Sequence, residues 1–125
     1  MAAELIPEDL RDFILRHIDS IAQIEALLLL RRNPHENWDA AKTAKRLYIS
    51  EQQAADALTR LCSDGLLNCN EAIYRYATES SDQERMIARL ADAYARHLIP
   101  VTNMIHSKPR RIREFADAFR LRKDR

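Results

Sequence analysis

The chain has 125 residues and a formal charge of +1, with one Gly, four Pro, two Cys and few aromatic residues. This length suffices for one domain with a real core, and the scarcity of Gly and Pro favours helix. The near-neutral charge excludes an overall field that draws the whole protein to nucleic acid, and the longest apolar run, residues 26–30, is too short to span a membrane.

The N-terminal sequence and the cysteines predict the cellular compartment of the protein. The first twelve residues, MAAELIPEDLRD, are acidic and lack the apolar centre of a signal peptide. Cys62 and Cys69 do not have CxxC spacing, and no cluster of Cys or His joins them. We therefore expect reduced thiols in a soluble cytoplasmic protein, not a disulfide.

Two helices are predicted before residue 35. The first begins near Pro7 and runs to about Asp19, and its apolar stripe consists of Leu10, Phe13, Ile14 and Ile18. The second runs from about Ser20 to Arg32. It is apolar all round at residues 27–30, so it must be buried on several sides.

The stretch 40–67 predicts two short helices joined by Tyr48-Ile49-Ser50. Ser50 can cap the second helix, and Gln53, three residues on, can complete a capping box. The apolar face of this helix consists of Ala54, Ala57, Leu58 and Leu61. Gly65 should end it, because glycine accepts the left-handed backbone of a helix terminus.

A short hairpin is predicted next. Residues 66–67 would pair with 73–76 around the turn Asn-Cys-Asn-Glu, and the alternation along 73–76 is typical of a strand. Trp38 directly precedes Asp39, the expected cap of the first central helix.

The C-terminal part predicts a long helix over 82–106, kinked but not stopped at Pro100. At 1.5 Å per residue it would be about 37 Å long, more than one small domain needs to cover its core. Its apolar stripe recurs at heptad spacing and consists of Ile87, Ala91, Tyr94, Leu98, Val101 and Ile105. We expect a partner subunit to cover it. A last helix begins near Pro109, with Phe115 and Phe119 in its apolar stripe.

The two short helices closed by Gly-Leu-Leu, within residues 24–76, resemble the helix-turn-helix of a winged-helix domain. The order of elements resembles winged-helix regulators of the multiple-antibiotic-resistance (MarR-like) type. The resemblance implies a mainly α fold in a single domain, 1–125, with a winged-helix core of three helices and a short hairpin over 20–77. It also implies that Trp38 packs in a strand of one or two residues, and that helices at 1–19 and 80–125 interlock into a homodimer. The residues expected at that interface are Ile87, Ala91, Tyr94, Leu98, Val101, Ile105, Phe115 and Phe119.

The resemblance further implies a transcriptional regulator that reads duplex DNA through the helix 51–63, with the hairpin touching the minor groove. From the residues themselves, Gln52 can read adenine, Asp56 can accept from cytosine and Arg60 can hold a phosphate. The candidate DNA contacts are Lys42, Lys45, Arg46, Ser50, Gln52, Gln53, Asp56, Thr59 and Arg60. A solvated polar face, or a contact with protein, is the alternative for this surface.

Charge is unevenly distributed. Residues 1–80 carry nine Lys and Arg against thirteen Asp and Glu, a net −4, so the remainder carries +5 to reach the total of +1. Because DNA affinity comes largely from Lys and Arg, the acidic part that resembles a DNA reader motivates a second hypothesis, a winged-helix protein-interaction adaptor. The basic tail, 107–125, is interpreted as a solvated helix face, a phosphate-binding segment or a contact for an acidic protein.

Catalytic chemistry has little support in the sequence. There is no Gly-rich phosphate loop and no cluster with metal-ligand spacing, and the four histidines lie far apart. His17 and His97 fall within helical patterns and are interpreted as structural. We therefore expect no enzyme activity and no cofactor.

Overall fold

The computed structural model describes residues 6–107 and shows a mainly helical chain with one small antiparallel hairpin. In chain order the elements are α1 (Glu8–His17), α2 (Ile21–Arg32), α3 (Ala40–Leu47), α4 (Glu51–Ser63), β1 (Leu67–Asn70), β2 (Ile73–Tyr76), α5 (Ser81–Arg96) and α6, described over 98–107. The mainly helical class predicted from the sequence is confirmed.

Side-chain caps begin four of these helices. Each cap is an oxygen that accepts a bond from the backbone N–H three residues on, and the four are Ser20, Asp39, Ser50 and Ser80. At α4 the Gln53 side chain also accepts from the Ser50 N–H, and both bonds are 3.0 Å long. The predicted capping box is therefore confirmed. Each such cap contributes about 1 kcal/mol, so local sequence sets where these helices begin.

The core surrounds α2. Its residues Ile24, Leu27 and Leu30 are fully buried, and the helix contacts α3, α4 and β2. The prediction that residues 27–30 are buried on several sides is confirmed. Other elements contribute further fully buried side chains, among them Ile14, Leu58, Leu61, Ile87 and Leu90. Burying one Leu or Ile side chain contributes about 1.5–3 kcal/mol, so this cluster is the main source of stability.

α3 and α4 pack against each other, and left-handed residues end both helices. Tyr48, at φ 57°, follows α3. After α4, Gly65 takes φ 78°. Its N–H donates to the Cys62 carbonyl and the Leu66 N–H donates to the Leu61 carbonyl, both at 3.0 Å. Glycine takes this backbone without strain, so the predicted end at Gly65 is confirmed.

The hairpin has a tighter turn than the sequence suggested. In the ladder Leu67 faces Tyr76, and Asn70 faces Ile73. The predicted four-residue turn over 68–71 is wrong, because only residues 71–72 lie between the strands. Glu71 takes φ 60°, and positive φ at the first turn position matches the twist of a two-residue hairpin.

Trp38 extends the hairpin by one bridge. Its N–H donates to the Tyr74 carbonyl at 2.9 Å, and its carbonyl accepts from the Tyr74 N–H at 2.7 Å. The Trp38 side chain is fully buried. The strand of one or two residues expected at this position is confirmed as a single bridge residue.

The prediction of one kinked helix over 82–106 is wrong. α5 ends at Arg96, and α6 begins after His97. Pro100 lies in the first turn of α6, where its missing N–H removes no helical bond. In a continuous helix the Pro100 ring would press against the Arg96 carbonyl, four residues earlier. The chain therefore breaks before the proline.

Most of the apolar stripe over 87–105 is used within the chain. Ile87, Val101 and Ile105 are at most 1% exposed, so the expectation that a partner subunit covers these three is wrong. Heptad spacing defines an apolar helix face but not the surface that covers it. Ala91 and Tyr94 pack partly buried against the same core. Leu98 remains 51% exposed, whereas Phe115, Phe119 and the rest of the basic tail from residue 108 lie outside the described residues.

Candidate nucleic-acid interface

α4 has one buried face and one exposed face. The buried side chains are Ala54, Ala57, Leu58 and Leu61, at the helical spacing that the sequence predicted. The exposed side chains include Gln52, Gln53, Asp56 and Thr59. The helix therefore presents polar hydrogen-bonding groups to solvent from a fixed position on the core.

Several of these groups have partners on α4 itself. The Gln52 side-chain amide donates to Asp56 at 2.9 Å. This bond occupies one of the amide N–H donors with which Gln52 could read adenine. Ser50 and Gln53 are joined in the capping box, so their first role is to begin the helix. Thr59 is exposed one turn beyond Asp56.

Arg60 is held within the chain. Its guanidinium pairs with Asp19 and with Asp64, the latter at 3.3 Å from Nε. His17 Nδ1 lies 3.1 Å from the same Asp64 oxygen. These contacts tie the last turns of α4 to the end of α1. A phosphate would have to compete with two aspartates for Arg60.

Three of the candidate contacts are exposed cations on α3. Lys42 Nζ lies 4.2 Å from the centre of the Trp38 ring, and the Arg46 guanidinium lies 5.6 Å from it. Lys42 also donates to the Asn37 carbonyl at 3.1 Å. Cation–π contacts at exposed sites contribute about 0.5–1 kcal/mol. Lys45 is exposed as well, so α3 presents three cations, two of which contact the Trp38 ring.

The outer face of the hairpin was missed as a candidate. Asn68 faces Arg75 and Asn70 faces Ile73 across the ladder. With Asn37 these residues line a shallow open cleft of about 460 Å³. The Arg75 guanidinium lies 3.3 Å from the His35 carbonyl. The strand alternation already placed Arg75 opposite the two inward tyrosines, and this signal could have added it to the cationic candidates.

The connection between α3 and α4 exposes Tyr48, whose side chain is 94% accessible. For a residue other than glycine, the left-handed backbone costs about 1–2 kcal/mol. This side chain gains almost no burial in return. Tyr48 is therefore a candidate contact residue that the sequence patterns did not single out.

Cys62 and Cys69 are joined in a disulfide, so the expectation of two reduced thiols is wrong. Their Cα atoms are 6.2 Å apart, inside the range that disulfides span. The cause is the turn at Gly65. It reverses the chain, so that β1 contacts α4 and brings the two cysteines together.

Tyrosine hydroxyls and ion pairs fix α5 to the rest of the chain. Tyr76 donates to Glu84, and burial together with this carboxylate raises the pKa of Tyr76. Tyr94 donates to Glu25 at 2.6 Å, and burial and that bond raise its pKa too. Separately, Arg89 holds both oxygens of Asp9 at 2.7 and 2.8 Å. The hydrogen bonds from Arg89 lower the pKa of Asp9 to about 2.

Residues 6–107 contain no group of three or more His, Cys, Asp and Glu side chains that could hold a metal ion. Within the same range no helix combines the length and apolar character needed to cross a membrane. No protein-family model, no curated protein and no solved structure matches the chain.

Proposed function

We propose that this chain is a winged-helix transcriptional regulator that binds duplex DNA as a homodimer and reads it through α4. The observation that carries the proposal is the placement of α4. Its apolar face packs on the core, and its polar face is exposed. α3 precedes it, and a hairpin bridged by Trp38 follows it. A second helix held in this way is the element that helix-turn-helix proteins insert into the major groove.

The charges on α3 support the same function. Lys42, Lys45 and Arg46 are exposed on the helix that precedes α4. In helix-turn-helix proteins the first helix crosses the DNA backbone, and lysine and arginine there neutralise phosphates. Gln52, Asp56 and Thr59 would then face base edges.

Retention of the full chain on random duplex DNA at increasing salt tests the proposal. Lys45→Gln removes an exposed cation from α3, and Arg85→Gln removes an exposed arginine from α5. Loss of one phosphate contact reduces the slope of log affinity against log salt by about 1. We expect this reduction for Lys45→Gln and an unchanged slope for Arg85→Gln.

Two results would contradict DNA binding through this surface. The first is no retention of the wild-type chain on duplex DNA or heparin at low salt. The second is an equal reduction of the salt slope for Lys45→Gln and Arg85→Gln, which would indicate a general charge effect.

The dimer is tested separately. Leu98 and Ile99 are 51% and 70% exposed at the start of α6, and they are candidates for the contact between subunits. Light scattering at tens of micromolar should report about 29 kDa, twice the 14.5 kDa of one chain. Leu98→Asp should shift the mass towards one chain. A wild-type mass of 14.5 kDa would exclude paired half-sites under these conditions.

A protein-interaction adaptor is the second candidate function. It is favoured by the internal partners of Arg60 and Gln52, which are paired with aspartates. Glu51 and Asp56 also make the exposed face of α4 acidic. In this case the folded wild-type chain should show no retention on duplex DNA at any salt concentration. Lys45→Gln should then be as stable as the wild type and should not change retention.

A further inference from the structure

The disulfide between Cys62 and Cys69 closes a very short loop. The two residues are seven positions apart, and Cys62 belongs to the last turn of α4 whereas Cys69 belongs to β1. Both residues are half-buried. Small thiols and disulfides can therefore reach this position, in contrast to a bond enclosed in the core.

Other contacts hold the two cysteines near each other. The bonds around Gly65 fix the turn after α4, and Leu66 is fully buried between the helix and the strand. Cys69 also faces Tyr74 in the ladder. None of these contacts involves a sulfur atom, so we expect the two thiols of the reduced chain to keep a high effective concentration for each other.

We propose that Cys62 and Cys69 form a reversible thiol–disulfide exchange site that fastens the hairpin to the end of α4. The co-reactant is a low-molecular-weight disulfide such as oxidised glutathione. The site stands on the geometry of this loop and does not depend on DNA binding.

The exchange balances in two steps. A thiolate of one cysteine attacks a glutathione sulfur, breaks the glutathione S–S bond and releases one glutathione thiol. The second cysteine then attacks the protein-bound sulfur of the mixed disulfide and releases the second glutathione. The two protein thiols are oxidised to a disulfide, their two protons end on glutathione, and one glutathione disulfide is reduced to two thiols.

Closing this bond changes how the hairpin is held. In the open state, β1 is attached to α4 by the turn at Gly65 and by the packing of Leu66 and Leu67. In the closed state, a covalent bond also joins the third residue of the strand to the helix. The local opening of the hairpin should therefore become rarer, since a cross-link restricts the open ensemble.

The test uses the full chain in glutathione buffers that range from fully reduced to fully oxidised. After acid quenching and alkylation, mass spectrometry should find two modified thiols at the reducing end and none at the oxidising end. Cys69→Ser should instead trap a mixed disulfide with glutathione at Cys62. Hydrogen exchange of the amides over 67–70 should be about tenfold faster in the reduced chain, with α2 amides unchanged.

The double variant Cys62→Ser, Cys69→Ser is the control, and its hydrogen exchange should be identical in reducing and oxidising buffer. Free thiols that persist in excess oxidised glutathione would overturn the proposal. A bond that opens only in denaturant, or a product that links two chains, would also overturn it. Equal hydrogen exchange of the amides over 67–70 in the two redox states would contradict the proposed effect of the bond on the hairpin.

Discussion

The two ends of α4 are held in different ways. At the N-terminal end, Ser50 pairs with Gln53 and Gln52 pairs with Asp56, so these side-chain partners lie within four residues. At the C-terminal end, Arg60 pairs with Asp19, 41 residues away, and Asp64 contacts His17, 47 residues away. One end is organised locally and the other is fastened to distant parts of the chain.

This difference indicates that the two ends of α4 have different roles. The last turns fix the position of α4 on the core, and the first turns present side chains to solvent. Long-range contacts resist local opening, whereas a locally organised turn can open at small cost. Substitutions of buried side chains in the last turns should therefore mainly affect stability, and substitutions in the first turn should also affect binding.

The largest effect is expected for Leu61→Ala. Leu61 is fully buried in the fastened half of α4, and truncating such a leucine costs about 2–5 kcal/mol because a cavity remains. The free energy of unfolding from urea titration measures this loss. Thr59→Ala, at an exposed position of the same helix, should change it by less than about 0.5 kcal/mol. Similar losses for both variants would mean that burial in the core does not decide the effect of a substitution in α4.

Gly65→Ala should have the next largest effect. At φ 78° an alanine pays about 1–2 kcal/mol for the left-handed backbone. The added Cβ would also collide with the Glu79 side chain, which can move away. Urea unfolding of Gly65→Ala with and without Glu79→Ala separates the two causes. If removing Glu79 restored full stability, backbone strain would not be the reason.

Ser50→Ala tests the N-terminal end of α4, where the side-chain partners are close in sequence. Loss of this cap should cost about 1 kcal/mol, and it should reduce DNA retention because the first turn of α4 presents the candidate contacts. Ser63→Ala changes an exposed serine at the other end of α4 and should leave stability and retention as they are. A destabilised Ser50→Ala chain with unchanged retention would place binding elsewhere.

Arg60→Gln should have the smallest effect on stability. The Arg60 and Asp19 side chains are 41% and 38% exposed and Asp64 is 19% exposed, and ion pairs near the surface contribute about 0–1 kcal/mol each. The loss should shrink further in 1 M salt, which screens exposed charges. A loss that stays above about 2 kcal/mol in 1 M salt would show that packing, not charge, fastens this end.

Local features of this chain could be predicted from sequence. The Ser50 cap and the end at Gly65 each depend on a few neighbouring residues. The bridge from Trp38 to the distant Tyr74 was instead expected from the winged-helix resemblance. The pairing of Arg60 with Asp19 could not be predicted, since Asp19 comes close to α4 only after the chain has folded. The same holds for the cysteines, whose contact follows from the reversal at Gly65. Heptad spacing over 87–105 identified an apolar face correctly but could not say that the chain covers most of it itself.

Trp38 gives this protein a built-in optical reporter. It is the single tryptophan of the chain, and it is enclosed between the hairpin bridge and the cations of α3. Its fluorescence should therefore be blue-shifted in the folded state, and any event that moves Lys42 or Arg46 should change its intensity. Ligand titrations that engage the α3 surface can thus be followed without attaching a dye.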